Sequence, residues 1–147
     1  MKVRVYLGGW SQELEYRKTV KEYCNGRLDL VDPMEITWPE VNQNIGKNCS
    51  HIYVVRRDKL LIDSCHVLVA YVRVGPTWGT VMEIMYAYER GIPVFVIDPT
   101  PGFRHASDAW CRVHTTKLFS SIEECFDFIM NRENNEEASF FGNEGRL

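Results

Sequence analysis

HVLVAYVRVGPTWGTVMEIMYAYERGIPVFVI, residues 66–97, reads in one pass as strand, turn, helix and strand. His66 to Val72 is a continuous apolar run carrying Val67, Leu68, Val69 and Val72, the pattern of a central strand buried on both faces. Gly75, Pro76 and Gly79 form a turn. Thr80 then begins a helix that Gly91 ends, and Ile92 to Ile97 is a second buried strand stopped by Asp98-Pro99. Two strands joined through a helix lie parallel and close by a right-handed crossover.

The same alternation extends outward. Upstream, Val3 to Leu7 is a strand with Val3, Val5 and Leu7 on one face, broken by Gly8 and Gly9. Ser11 is an N-cap and Gly26 a C-terminal stop, so a helix of about three turns lies between them. Leu28 to Val31 is a strand ended by Asp32-Pro33. Residues 34–50, with Pro39, three asparagines and Gly46, read mostly as loop. Ile52 to Val55 fits either strand or helix, and Asp58 opens a short helix from Lys59 to Cys65. Downstream, residues 100–112 are irregular and Ser121 starts a final helix to about Asn131. The chain therefore divides into one domain, residues 1–131, and a polar tail, residues 132–147, whose Phe140 and Phe141 either dock on a neighbouring subunit or belong to a disordered end.

Strands alternating with helices imply an α/β domain around a parallel sheet, and ligands bind such sheets beyond the strands' carboxyl ends. Those ends are Tyr6 to Trp10, Asp32 to Met34, Arg73 to Gly79 and Asp98 to Gly102.

Composition narrows the function. The chain has 147 residues, enough for one substantial core, and a net charge of -3 that argues against a nucleic acid polymer. Arg56, Arg57 and Lys59 make a small basic cluster suited to a small phosphate. Five cysteines lack C-x-x-C spacing, and no apolar run approaches the ~20 residues of a membrane span. With no signal-like opening, these features point to a reduced, cytoplasmic setting without a membrane. His51, His105 and His114 have no metal spacing, so no metal site is expected.

At the ligand edge, Thr80 and Glu83 are spaced as a capping box, T-x-x-E. The same spacing puts an anionic carboxylate in the first helical turn, where the helix N-terminus favours it and where it can attack an electrophilic sugar carbon. Both readings stand at this point. Asp32 and Glu35 follow the second strand and suit either a base or ribose hydroxyl or a turn before proline. Trp10 and Trp38 suit either a pocket or packing, Asp63 a solvated helix face, and Asp98 a turn.

The pattern Asp58, Ile62, Leu68-Val69-Ala70, Gly79-Thr80, Glu83-Ile84, Ala87, Gly91-Ile92-Pro93-Val94 resembles the nucleoside 2-deoxyribosyltransferase family. Tyr6-Leu7-Gly8-Gly9-Trp10 is similar to that family's first strand and loop, and the likeness runs from residue 3 to residue 130. The resemblance implies a flavodoxin-like three-layer sandwich with a central, mainly parallel sheet of about five strands. It implies Glu83 as nucleophile, Asp58 orienting the sugar or assisting proton transfer, and Tyr6 lining the base and sugar pocket, with Gly8 allowing close approach. Gly9, Trp10, Asp32, Trp78, Gly79 and Thr80 complete the expected substrate-binding set. It further implies small-molecule partners, a nucleoside or nucleotide and a nucleobase, with no metal or organic cofactor, and a homo-oligomer with pockets completed across an interface.

The sequence departs from the family at two places. Thr77 and Trp78 stand where an aspartate often contacts the base, which leaves Trp78 to stack on it, and His66 replaces an aspartate as a structural substitute. Two rivals remain. One is an N-glycosidase acting on a nucleoside 5′-monophosphate, with Arg56, Arg57, Arg73, Ser120 and Ser121 available for the phosphate. The other is a non-catalytic, TIR-like nucleotide-binding or signalling module in which Glu83 only caps a helix.

Overall fold

The computed structural model describes residues 2–36 and 47–133. Trp38, Phe140, Phe141 and the rest of the tail from residue 134 lie outside the described residues, and the final helix runs to Glu133, two residues into the expected tail. The elements run β1 (Arg4–Gly9), α1 (Leu14–Cys24), β2 (Asp29–Val31), α2 (Lys47–Asp63), β3 (Val67–Tyr71), α3 (Trp78–Glu89), β4 (Val94–Ile97), a short 3-10 turn (Pro101–Phe103), α4 (Ala109–Val113), β5 (Lys117–Phe119) and α5 (Ile122–Glu133).

All strand pairs are parallel, in the order β2-β1-β3-β4-β5, which is the flavodoxin-like order. Val5 pairs with Val67, Leu68 with Val94 and Val96 with Leu118. Side chains alternate across the sheet and bury two cores. Val5, Leu7, Val67, Val69, Phe95 and Ile97 pack with Tyr16 and Val20 of α1 and Phe126 and Ile129 of α5. Tyr6, Leu68, Ala70, Val94 and Val96 pack on the other face with Ile62 of α2, Ile84 and Ala87 of α3 and Cys111 of α4. Burial on both faces explains why β3 and β4 are apolar without alternation.

Several boundaries differ from the sequence reading. Ser11 is not the cap of α1, which starts at Leu14 after Glu13 and ends where Asn25 turns left-handed. Ile52 to Val55 and Asp58 belong to one continuous helix, so Asp58 lies inside α2 rather than at its start. The apolar residues there fitted strand or helix alike, and the helix prevails because no glycine or proline interrupts residues 47–63 and Ile62 docks on the sheet. The irregular stretch contains α4, capped by Asp108, whose carboxylate accepts from the Trp110 and Cys111 N–H groups. The fifth strand, β5, was not placed from sequence, because Lys117-Leu118-Phe119 is a three-residue edge strand defined only by its partner β4. The turn expected at Asp98 is present. Its buried carboxylate accepts from the backbone N–H groups of Thr100, His105 and Ala106 and knits the loop after β4.

Cys24, Cys65, Cys111 and Cys125 are free and buried, behaving as small apolar residues. Among the described residues no helix is long and apolar enough to cross a membrane.

Candidate active site

The order β2-β1-β3-β4-β5 places the topological switch point between β1 and β3, where a crevice opens at the carboxyl ends. Tyr6 on β1 points to the α3 side of the sheet, and Glu83 on α3 points back at it. The Tyr6 hydroxyl donates to Glu83 Oε1 at 2.8 Å. Gly8, two residues along the same strand, makes room for the carboxyl. A Cβ at Gly8 would stand 3.3 Å from Glu83 Oε2 and 3.4 Å from the Val69 carbonyl. The glycine thus serves the close approach of Glu83 rather than of a ligand.

Glu83 does not cap its helix. Thr77 is the N-cap, its side chain accepting from Thr80 N–H, and its hydroxyl lies 3.0 Å from that of Thr80. The T-x-x-E box is therefore corrected. Helix α3 begins a turn earlier than the sequence suggested, and Glu83 falls in its second turn, beyond the main reach of the helix dipole. The S-x-x-E cap belongs instead to α5, where Ser121 Oγ accepts from Glu124 N–H.

This position changes the expected charge state. Burial pushes the Glu83 carboxyl up to about 7, the Tyr6 hydrogen bond pulls it down, the Asp58 charge pushes it up, and Arg17 and Arg57 pull it down. The Tyr6 hydroxyl is itself held well above its ordinary range, chiefly by burial and then by Glu83, so it stays a donor. Asp58 reaches the site from α2. Arg57 donates to Asp58 Oδ1 through Nε at 2.9 Å, and Arg57 Nη2 lies 2.8 Å from the same oxygen. Burial raises the Asp58 carboxyl and Arg57 opposes that rise. Arg57 Nη1 also donates to the Ile36 carbonyl at 3.2 Å, tying α2 to the segment after β2.

The arrangement is a buried phenol donating to a carboxyl that titrates near neutrality, with a second carboxyl close enough to influence it. Tyr6→Phe is expected to remove the bond that favours ionised Glu83. Activity that needs the carboxylate would then fall off at a pH about one unit higher than in wild type, which a pH–rate profile measures. An unmoved profile would show that the bond is inert.

No protein-family model matches the chain, and no curated protein matches it. Solved structures do. A conserved protein from Enterococcus faecalis V583 superposes with a TM-score of 0.72 at 19% identity, over 90% of this chain and 99% of that one. A 2-deoxyribosyltransferase from Bacillus psychrosaccharolyticus gives 0.63 at 18% identity, over 94% of this chain and 93% of that one. A CMP N-glycosidase from Clostridium botulinum gives 0.54 at 13% identity, over 88% and 98%. The fold is that of the 2-deoxyribosyltransferases.

Within the 2-deoxyribosyltransferase fold, the residues expected at the site separate into two groups. Tyr6, Gly8 and Glu83 come together, and Asp58 acts on Glu83 through its charge. Tyr6 is fully buried and supports Glu83 with its hydroxyl. The others have different surroundings. Gly9, at φ +136°, lies where a Cβ would be 2.9 Å from the Tyr71 carbonyl, so sheet packing demands it. Trp10 is half-exposed, and its carbonyl accepts from Glu13 N–H. Trp78 is 91% exposed and stacks on nothing among the described residues. Gly79 is exposed, and Thr80 is buried in the cap.

Asp32 is buried and surrounded by cations. Its Oδ1 lies 3.2 Å from Arg17 Nε and accepts from Met34 N–H, and its Oδ2 accepts from Lys21 Nζ at 2.7 Å. His66 is structural, as expected, its Nδ1 accepting from Arg4 N–H. Asp63 pairs with Arg90 and accepts from the Tyr86 hydroxyl. Among the described residues no group of three His, Cys, Asp or Glu side chains could hold a metal ion.

The sequence reading missed Arg17. Its only signal was the spacing of Arg17 and Lys21, four residues apart on one helix face, with Asp32 and Glu35 beyond the next strand. That signal becomes readable only once α1 is known to cross β2.

Proposed function

We propose that this chain cleaves the N-glycosidic bond of a (deoxy)nucleoside and transfers the sugar to another nucleobase, with Glu83 as nucleophile and Asp58 as the group that orients the sugar or assists proton transfer. The observation that carries this reading is the hydrogen bond from Tyr6 to Glu83, which seats a carboxyl at the switch point beside Asp58. Glu83 attacks C1′, the C1′–N bond breaks, and its electron pair leaves with the base, which takes a proton at nitrogen. A second base attacks the same carbon, the C1′–O bond to Glu83 breaks, and two inversions give net retention. The carboxylate also stabilises the oxocarbenium character of each transition state. The 2-deoxyribosyltransferase among the structural neighbours supports this reaction class.

Hydrolysis of a nucleoside 5′-monophosphate is the alternative, supported by the CMP N-glycosidase neighbour. Most groups available for its phosphate are already engaged. Arg73 pairs with Glu13, Arg57 holds Asp58 and the Ile36 carbonyl, Ser120 donates to Glu124, and Ser121 caps α5. Those engagements favour the unphosphorylated substrate. The reading of Glu83 as a mere cap loses its basis, because Thr77 does the capping.

The test compares a deoxynucleoside with its 5′-monophosphate, each with and without an acceptor base. Mass spectrometry of the protein incubated with a 2′-fluoro-deoxynucleoside accompanies it. Base exchange on the free nucleoside and a sugar-sized adduct on Glu83 are expected. Release of base from the monophosphate alone would shift the assignment to hydrolysis. No adduct and no turnover of either would retire the reaction.

A further inference from the structure

Arg17 is 2% exposed, and a buried guanidinium needs a reason. Pairing with Asp32 does not supply one. Lys21 and the Met34 N–H already bind that carboxylate at 2.7 and 3.0 Å. Arg17 Nε lies 3.2 Å from Asp32 Oδ1 as an ion pair without hydrogen-bond geometry, and Arg17 Nη1 is buried with no hydrogen-bond partner. Among the described residues its hydrogen bond runs from Nη2 to the Gly9 carbonyl at 3.4 Å. The guanidinium therefore meets the carboxyl end of β1 at the Gly9 carbonyl from α1, and the Glu83 carboxyl meets the preceding residue, Gly8, from α3 on the other face of the sheet.

The groups that act on Glu83 are Tyr6 from β1, Asp58 and Arg57 from α2, and Arg17 from α1. Those around Arg17 are Asp32 after β2, Lys21 on its own helix and the Tyr16 ring. Arg57 lies against the Asp58 carboxylate at 2.8 Å, whereas the Asp32 carboxylate 3.2 Å from Arg17 is shared with Lys21 at 2.7 Å and offsets less of the Arg17 charge. Arg17 is the other cation in reach.

We propose that Arg17 is a positioning residue for Glu83, a buried positive charge acting across the Gly8–Gly9 end of β1 to favour the ionised carboxylate without touching substrate. The proposal rests on Glu83 being the reacting group. It agrees with the downward pull of Arg17 on Glu83 ionisation.

The experiment follows the Glu83 carboxyl by 13C NMR titration, assigned with Glu83→Gln, alongside the pH–rate profile. The proteins compared are wild type, Arg17→Gln, Arg17→Lys and Asp32→Asn. Arg17→Gln is expected to raise the Glu83 midpoint by about one pH unit, since an opposite charge nearby shifts a carboxylate by roughly that much or more. Arg17→Lys should hold the midpoint close to wild type, and Asp32→Asn, which keeps the cation, should lower it. An unmoved midpoint in Arg17→Gln overturns the proposal. So does an equal rise in Asp32→Asn, because a merely structural ion pair would respond the same way from either side. If Arg17→Gln fails to fold, Asp32→Asn decides alone: a fall supports the proposal, because it frees the cation, and a rise or no change overturns it. The titration needs no turnover. A midpoint that moves in an inactive protein retires the proposed reaction and keeps the link. A Glu83-dependent activity with an unmoved midpoint retires the link.

Discussion

Glu83→Gln is expected to lower turnover by at least about 10³-fold, as loss of a nucleophile does, while leaving the chain better folded above neutral pH. Glutamine still accepts from the Tyr6 hydroxyl and fills the space against Gly8, but it carries no charge into the site. Burial raises Glu83 from 4.5 to about 7. The folded chain therefore binds more protons than the unfolded one between those values. The contribution of Glu83 to stability is fully present below the unfolded value and is lost as pH rises through about 7. Above that window the partly buried carboxylate costs roughly 3 kcal/mol, which the glutamine variant does not bear. Unfolding in urea at pH 5 and pH 8 measures this. The variant should be markedly more stable than wild type at pH 8 and much closer to it at pH 5. Equal destabilisation at both values would mean that the carboxyl is a structural element and not a buried charge held for chemistry.

Asp58→Asn has the second-largest expected effect, and two readouts separate its roles. Removing the Asp58 charge takes away a repulsion that opposes ionisation of Glu83 and frees the Arg57 charge, which favours it. The acid limb of the pH–rate profile should therefore move below 7. If Asp58 also assists proton transfer or orients the sugar, the plateau rate falls by about 10²-fold or more. A shifted limb with an unchanged plateau would confine Asp58 to electrostatics. An unshifted limb would remove it from contact with Glu83 altogether.

The legibility of this chain varied with the source of each signal. The β3–α3–β4 unit was readable because an apolar run buried on both faces, a glycine-rich turn and a terminal glycine are local features. Glu83 was singled out both by its T-x-x-E spacing and by the family resemblance, and the structure replaces the first reason. The T-x-x-E spacing suggested a first-turn cap, whereas Thr77 starts the helix earlier and turns Glu83 toward β1. Asp58 was identified through family resemblance and then moved from a helix start to a helix interior. Trp78 was expected to stack on a base because it stands where the family resemblance puts a base-contacting aspartate, and its side chain is exposed at the start of α3.

The sequence by itself determined the parallel α/β architecture, the edge at which its loops gather and the carboxylate most worth testing, because hydrophobic period and turn chemistry act over a few neighbouring residues. Only the tertiary structure decided that the Tyr6 hydroxyl meets Glu83, that Gly8 yields space to its carboxyl, and that Arg17 and Asp32 form a buried ion pair at the end of β1. Those contacts join residues far apart in the chain. Their energies depend on distance and burial, which no local pattern encodes.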